Sequence, residues 1–267
     1  MKKEKKTWKE SGVSETVGFI LIFGIMLTGI ALVTLYGYPA LLDTQQNANV
    51  RNMERNMISL QSDVNSLTYK AVPYKETTMQ VSGGTLFANK NPGNKPNFTV
   101  TISGAPPTIY TFYPGEILFY SQDSMVSTSL ENGAVHSRHW SYPLGSAMLS
   151  EPRWFYDETT ETFVMFFTSI NATEDFAQTG IGTIRMKLVP TADPPLPPMI
   201  DVSGKQVTIT YNADSENNYN IAWRNYLNKT DLKMRNFSGD GFSSSFDLDS
   251  DVKTLVIKTY NVTILSL

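Results

Sequence analysis

Between Val17 and Tyr38 the chain runs for 22 residues without a charge, inside a longer uncharged stretch from Thr16 to Leu42. As a helix those 22 residues cover ~33 Å, close to the ~30 Å of a bilayer core. Helices buried in soluble proteins seldom go so far without a charge, and secretory signal peptides have a shorter apolar region ending at a small-residue cut. Tyr36-Gly37-Tyr38-Pro39-Ala40 at the far end reads instead as an aromatic interfacial belt. The pattern predicts a membrane-spanning helix over 17–38.

Lys2, Lys3, Lys5, Lys6 and Lys9, set against Glu4 and Glu10, form a basic leader over residues 1–12. The positive-inside bias places that leader in the cytoplasm, so residues beyond about 42 are expected outside the cell. Gly18, Gly24, Gly29 and Gly37 interrupt the apolar run. They either let neighbouring helices approach closely or reflect the ordinary glycine content of membrane helices.

Beyond Pro39 the character changes while the helical period persists. Val50, Met53, Met57, Leu60, Val64 and Leu67 recur at alternating spacings of three and four, a narrow heptad seam with Arg51, Glu54, Arg55 and Asp63 between. A continuous helix is expected over 13–68, its 40–67 part amphipathic, with a kink where Pro39 removes a backbone donor. The seam has two readings: it packs on the chain's own domain, or, over part of its length, on equivalent helices of neighbouring subunits. Both can hold along different stretches.

Composition limits what the exported part can be. Past residue 12 there are 17 basic against 23 acidic residues, a formal charge of −6 that argues against a nucleic-acid partner. There is no cysteine, so the fold must rest on core burial, without disulfides or thiolate metal sites. Five N-x-S/T triplets, at Asn97, Asn171, Asn228, Asn236 and Asn261, lie beyond the membrane run, where a glycosylation machinery would meet them.

From Lys75 onward the hydrophobic period shifts to two, with strands expected at 97–103, 116–120, 183–189, 206–211 and 252–265. Arg153–Tyr156 and Thr162–Thr168 flank Asp157-Glu158-Thr159-Thr160-Glu161 and read as a hairpin. The proline cluster over 190–198 cannot lie inside a sheet and reads as a stiff connection, dividing either two subdomains, a β-rich domain at 74–189 and a second β-rich portion at 199–267, or only two sheets. One short helix is expected near 215–228, capped by Asp214-Ser215, with Tyr219, Ala222, Trp223, Tyr226 and Leu227 facing the sheet. The fold class is α+β: a long N-terminal helix, then a mainly antiparallel, sandwich-like domain.

Catalytic and metal-binding patterns are weak. His136 and His139 stand three apart, near Glu131 if Asn132-Gly133 turns, but residues three apart in a strand face opposite sides. Asp247, Asp249 and Asp251 imitate the start of a calcium loop, yet Val252 stands where that loop needs glycine and Lys258 where it needs glutamate. With no nucleophile elbow, phosphate loop or zinc motif, no enzyme activity and no cofactor are expected.

The N-terminal residues Glu10-Ser11-Gly12-Val13-Ser14-Glu15-Thr16-Val17-Gly18-Phe19-Ile20-Leu21 resemble an archaeal type IV pilin or archaellin precursor, with its class III signal peptide. The resemblance implies that a prepilin-type signal peptidase cuts after Gly12 and that Val13 becomes the mature N-terminus. It implies further that the apolar helix joins other pilin-like subunits inside a surface pilus, with the β-rich domain outside. Two features depart from the pattern: Glu10 and Ser11 precede the cut where a basic residue is usual, and Val17 occupies mature position five, where bacterial pilins carry glutamate. The segments Gly115–Tyr120, Glu131–Val135 and Gly145–Leu149 are similar to poorly characterised archaeal exported proteins with this kind of start. The expectation is a minor or adhesive pilus subunit. The alternative is a singly anchored, exported β-rich binding domain, of unknown ligand, that does not polymerise.

Overall fold

A computed structural model describes residues 15–70, 72–90, 93–94, 96–142, 145–190 and 197–267. The chain divides between Asn47 and Ala48 into two compact units. Gly12 and Val13 lie outside the described residues, as does most of the proline cluster.

The chain is helical through the first unit and on into the start of the second. α1 (Glu15–Leu32) is followed by a π turn (Val33–Gly37) and then α2 (Tyr38–Tyr69). The π turn sits just ahead of Pro39, where an ordinary α-turn would drive the pyrrolidine ring into the carbonyl four residues back. The Tyr38 N–H instead reaches the Val33 carbonyl, one residue further. Threonine hydroxyls in this stretch need no water: Thr28 donates to the Gly24 carbonyl at 2.8 Å, Thr34 to Ile30 at 2.9 Å and Thr44 to Ala40 at 2.8 Å. No side chain of α1 is buried.

Beyond α2 the second unit is built on two sheets. The larger has the strand order β7 (Ser146–Ser150), β6 (Ala134–His139), β5 (Val126–Glu131), β4 (Glu116–Ser121), β1 (Tyr74–Ala88), β10 (Phe176–Val189), β15 (Thr254–Ser266), β9 (Thr162–Ala172), β8 (Phe155–Asp157). A short β11 (Ile200–Asp201) adds to β15. The smaller sheet has the order β13 (Met234–Gly239), β14 (Ser243–Leu248), β12 (Val207–Asn212), β2 (Asn97–Ile102), β3 (Thr108–Phe112). All neighbours are antiparallel except β9 and β15, which run parallel in unbroken register from Thr162 opposite Thr254 to Ala172 opposite Ile264. The hairpin expected around residues 157–161 is present, joining β8 to β9.

Side-chain alternation lets β9 and β15 serve two cores. Phe163, Met165, Leu255 and Ile257 point to one face, under the small sheet and α3 (Asn220–Leu227). Ile170, Ala172, Val262 and Ile264 point to the other face, where the C-terminal part of α2 lies. The helix seam is thereby committed: Met53, Met57, Leu60, Val64 and Leu67 have no exposed surface and pack against Leu86, Ile117, Phe119, Val135, Ile184 and Met186. Gln61, buried beside them, donates to the carbonyls of Gly133 at 2.6 Å and Glu151 at 3.0 Å. Asp63 binds Lys75 and Thr77 of β1, and Glu54 accepts from Ser137 of β6 at 2.9 Å.

Two expectations are corrected here. The proline cluster separates neither subdomains nor sheets: β15, from the C-terminal portion, lies between β10 and β9, while β2 and β3, from the N-terminal portion, complete the small sheet. Residues 74–189 and 199–267 are thus interleaved, because hydrogen-bonded strand partners come from both. The short helix begins at Asn220 instead of near residue 215; Asp214 accepts from the N–H groups of Glu216 and Asn217 in a turn ahead of it, and Asn218 accepts from the Asn220 N–H.

Candidate functional site

Two features of the described residues invite a functional reading: the bare apolar helix, and a polar cluster sealed beneath α3. The helix is the simpler. Phe19, Ile20, Leu21, Ile22, Phe23, Ile25, Met26 and Leu27 are all more than half exposed, on every side of the helix. A helix apolar all round is stable only when lipid or other protein surrounds it. It is long and apolar enough to cross a membrane.

The amphipathic continuation is different. As an assembly seam it is corrected over Met53–Leu67, since those five side chains are enclosed by the protein's own sheet and none is left to meet a neighbour. Val50, at the head of the seam, is half-buried. Packing on the chain's own domain prevails because a two-residue-wide stripe fits one sheet face and has no second surface to offer.

The cluster under α3 grows from strand register. β4 and β5 pair so that Glu116 stands opposite Glu131, and β5 and β6 pair so that Ser129 stands opposite His136. The hairpin between β5 and β6 turns at Asn132-Gly133, with φ of 49° and 71°, the paired left-handed conformation of a tight two-residue turn. Glu131 and His136 are fully buried, whereas Glu116 is half-buried. The Trp223 indole N–H donates to Glu131 Oε1 at 2.8 Å and the Tyr211 hydroxyl to Oε2 at 3.4 Å. Glu116 accepts from the Ser129 hydroxyl and from the Asn217 amide, the latter at 2.8 Å. Trp223 thus meets the sheet as its spacing predicts, and its indole nitrogen also supplies a bond that the apolar pattern does not foretell.

Among the described residues no lysine or arginine forms an ion pair with either glutamate. Burial therefore raises the Glu131 carboxyl well above its usual range, and the neighbouring Glu116 adds to the rise. Glu116 is raised too, again mainly by desolvation, against the pull of its Ser129 and Asn217 donors. Both carboxyls are thereby shifted toward the protonated form, the more enclosed Glu131 the further. His136 stacks on Tyr219 at 5.1 Å between ring centroids and lies 5.2 Å from Trp223, and neither ring nitrogen has a hydrogen-bond partner among the described residues. Desolvation lowers its pKa to about 3, so the imidazole is neutral. The arrangement is a core cluster: Glu131 and His136 are closed to solvent.

His139, three residues on, is exposed, so the two histidines do not converge. Among the described residues no group of three or more His, Cys, Asp or Glu side chains is placed to hold a metal ion. The three aspartates of the calcium-like segment are spent otherwise. Asp247 accepts from Thr208, Gln206 and Asn236, Asp249 pairs with Arg235 at 2.6 Å, and the Asp251 N–H closes a turn on Asp249. Of the five sequon asparagines, Asn228 and Asn236 are exposed, while Asn97, Asn171 and Asn261 are half-buried within strands.

Sequence reasoning missed Glu116, Tyr211 and Arg138, whose guanidinium reaches the Glu216 carbonyl. A signal was available for Glu116: it and Glu131 lie equally far from the turn at residues 122–125, so an antiparallel hairpin there must bring them opposite.

Residues 12–264 match the family of unknown function DUF7289. The chain belongs to that family. Two proteins of Archaeoglobus fulgidus, both described as uncharacterized, resemble this DUF7289 member: one is 24% identical over 186 residues, the other 26% over 97. The matches cover 56% and 36% of this chain, and 60% and 36% of those relatives, so the chain spans less than two thirds of either. No solved structure matches it.

Proposed function

We propose that this DUF7289 protein is an archaeal type IV pilin-like cell-surface protein, a minor or adhesive pilus subunit that assembles through its N-terminal helix and carries the β-rich domain outside the cell. The observation behind the proposal is the helix from Glu15 to Leu32, apolar on all sides and without a buried residue. Such a surface calls for a bilayer before assembly and for like helices after it. The leader resembling a class III signal peptide supplies the route between the two: a prepilin-type peptidase cuts after Gly12 and frees the helix to leave the membrane. Because Met53–Leu67 is covered by the protein's own sheet, helix contacts between subunits fall on the segment before Val50.

A second reading is favoured by that same coverage. A seam wholly used within one chain suits a single-pass anchor with the N-terminus in the cytoplasm, left uncut, that holds an exported binding domain and never polymerises. Mass spectrometry of the N-terminus of the membrane-extracted protein separates the two. The pilin reading expects a chain beginning at Val13, and a chain beginning at Met1 sinks it.

A further inference from the structure

The sheet face that carries Glu116, Glu131 and His136 continues past the cover of α3. Two residues beyond His136, Tyr120, Ser127 and Arg138 stand abreast on β4, β5 and β6. The next side chain on that face is Trp140, whose N–H donates to the Met125 carbonyl at 2.8 Å and so prolongs the ladder between β5 and β6. There the face opens: Trp140 is 37% exposed, Met125 53% and Tyr142 65%. Tyr142 is held in place. Its N–H donates to the His139 carbonyl at 3.1 Å, and a Cβ on Gly145 would sit 2.7 Å from its own.

Arg138 is unusual among the cations of the chain. It is only 8% exposed, and among the described residues no carboxylate forms an ion pair with it. Its guanidinium lies over the Trp140 ring, 5.0 Å from the centroid, and Nη1 donates to the Glu216 carbonyl at 2.5 Å. Nε and Nη2, the side-on fork that matches the two oxygens of a carboxylate, have no acceptor among the described residues. Buried charges are ordinarily paired, because desolvating one alone is costly. An enclosed guanidinium with a free fork, set beside exposed rings, lacks a counter-ion.

We propose that this end of the sheet binds an acidic glycan, the carboxylate of a uronic acid pairing with Arg138 while sugar rings of the same chain lie on Trp140 and Tyr142. The planar fork asks for a planar, two-oxygen acceptor. Exposed aromatic faces receive the apolar faces of sugar rings, a contact that a bare anion would leave unused. An extended peptide gains affinity by adding main-chain bonds to a sheet edge, and β4, β5 and β6 are all interior strands with neighbours on both sides. The acidic balance of the domain disfavours densely charged polymers and favours spaced carboxylates. Because Nε is enclosed, seating the carboxylate shifts the Trp140 ring that lies on the guanidinium. The site gives the cell-surface reading a ligand class and rests on that reading for where the glycan is met; binding by the purified chain is measured wherever its N-terminus is cut.

The full-length protein in detergent is titrated with oligomers of galacturonic and of glucuronic acid and with their methyl esters, which keep the rings and lose the charge. Calorimetry and tryptophan fluorescence follow binding. At least one acid form is expected to bind and to change the fluorescence, with its ester weaker by about tenfold. Tyr142→Ala, at an exposed position, should weaken acid and ester alike by several-fold and leave the thermal melt unchanged. Arg138→Gln should bring acid and ester to the same affinity; if that variant does not fold, the ester comparison and Tyr142→Ala decide. No binding of either acid, equal binding of acid and ester by the wild type, indifference to Tyr142→Ala, or equally tight binding of polyglutamate overturns the proposal.

Discussion

The more apolar stretch of the long helix, Glu15–Leu32, is bare, while the more polar stretch, Met53–Leu67, is the one that is buried. The difference teaches that pattern decides burial and content does not. A stripe two residues wide matches one face of a sheet and leaves charged residues free for the rim, as Glu54 and Asp63 do with Ser137, Lys75 and Thr77. A helix apolar on every side cannot be satisfied by one face, and needs surroundings.

The largest test of this contrast is a charge placed in each stretch. Met57→Glu puts an unpaired carboxylate where there is no exposed surface, at a cost expected to exceed about 4 kcal/mol, enough to abolish a cooperative thermal melt. Ile22→Glu should leave the melt of the β-rich domain unchanged and weaken membrane retention, with a penalty of roughly 3 kcal/mol at a helix centre. A normal melt in Met57→Glu would return the seam to the pool of intersubunit surfaces.

The polar cluster under α3 sharpens the comparison from the other face of the sheet, where burial was accepted for titratable groups. His136 is lowered to about 3 from a usual 6.5. The unfolded chain therefore takes up a proton more readily than the folded one, so the stability held above pH 6.5 drains away as the pH falls toward 3. His136→Phe keeps the stacking on Tyr219 and removes that loss, and should gain a few kcal/mol (~3) over wild type at pH 4 in denaturant titrations. The carboxyls act in the opposite sense. With Glu131 raised in the fold, stability is greatest below its unfolded value of 4.5 and falls as the pH climbs toward its folded value. Glu131→Gln can still accept from Trp223 and should flatten that alkaline decline, read as a smaller difference in melting temperature between pH 5 and pH 9.

Gln61→Ala strands the Gly133 and Glu151 carbonyls and should cost about 1–3 kcal/mol in the same titrations. The smallest effects are at the surface. Glycopeptide mapping should find any sugar at Asn228 and Asn236, and none at Asn171, whose amide is tied to Ser169 inside β9. An occupied Asn171 would mean that glycosylation precedes folding of the sheet.

Much of this was legible from residue order. The helix, the β8–β9 hairpin, the strands at 97, 116, 207 and 254 and the Asn132-Gly133 turn all follow from local periods and turn chemistry. The boundary drawn at the proline cluster did not survive, because strand partners such as β10 and β15 lie far apart in sequence and no local signal announces their meeting. Glu116 escaped notice for a related reason. As the first residue of an apolar strand it reads as a solvated end, and only its pairing with Glu131 and the arrival of Asn217, in the bend ahead of α3, tie it to the buried cluster.

Residue order alone thus determined an apolar helix of membrane-spanning length, an acidic β-rich remainder without cysteine, and the seam that leads from one to the other, since each depends on composition or on periods of two and 3.6. The tertiary structure decided what the seam touches and which two carboxyls are desolvated on paired strands. Those outcomes depend on contacts between residues distant in sequence, where burial and desolvation, and not local preference, set the energy.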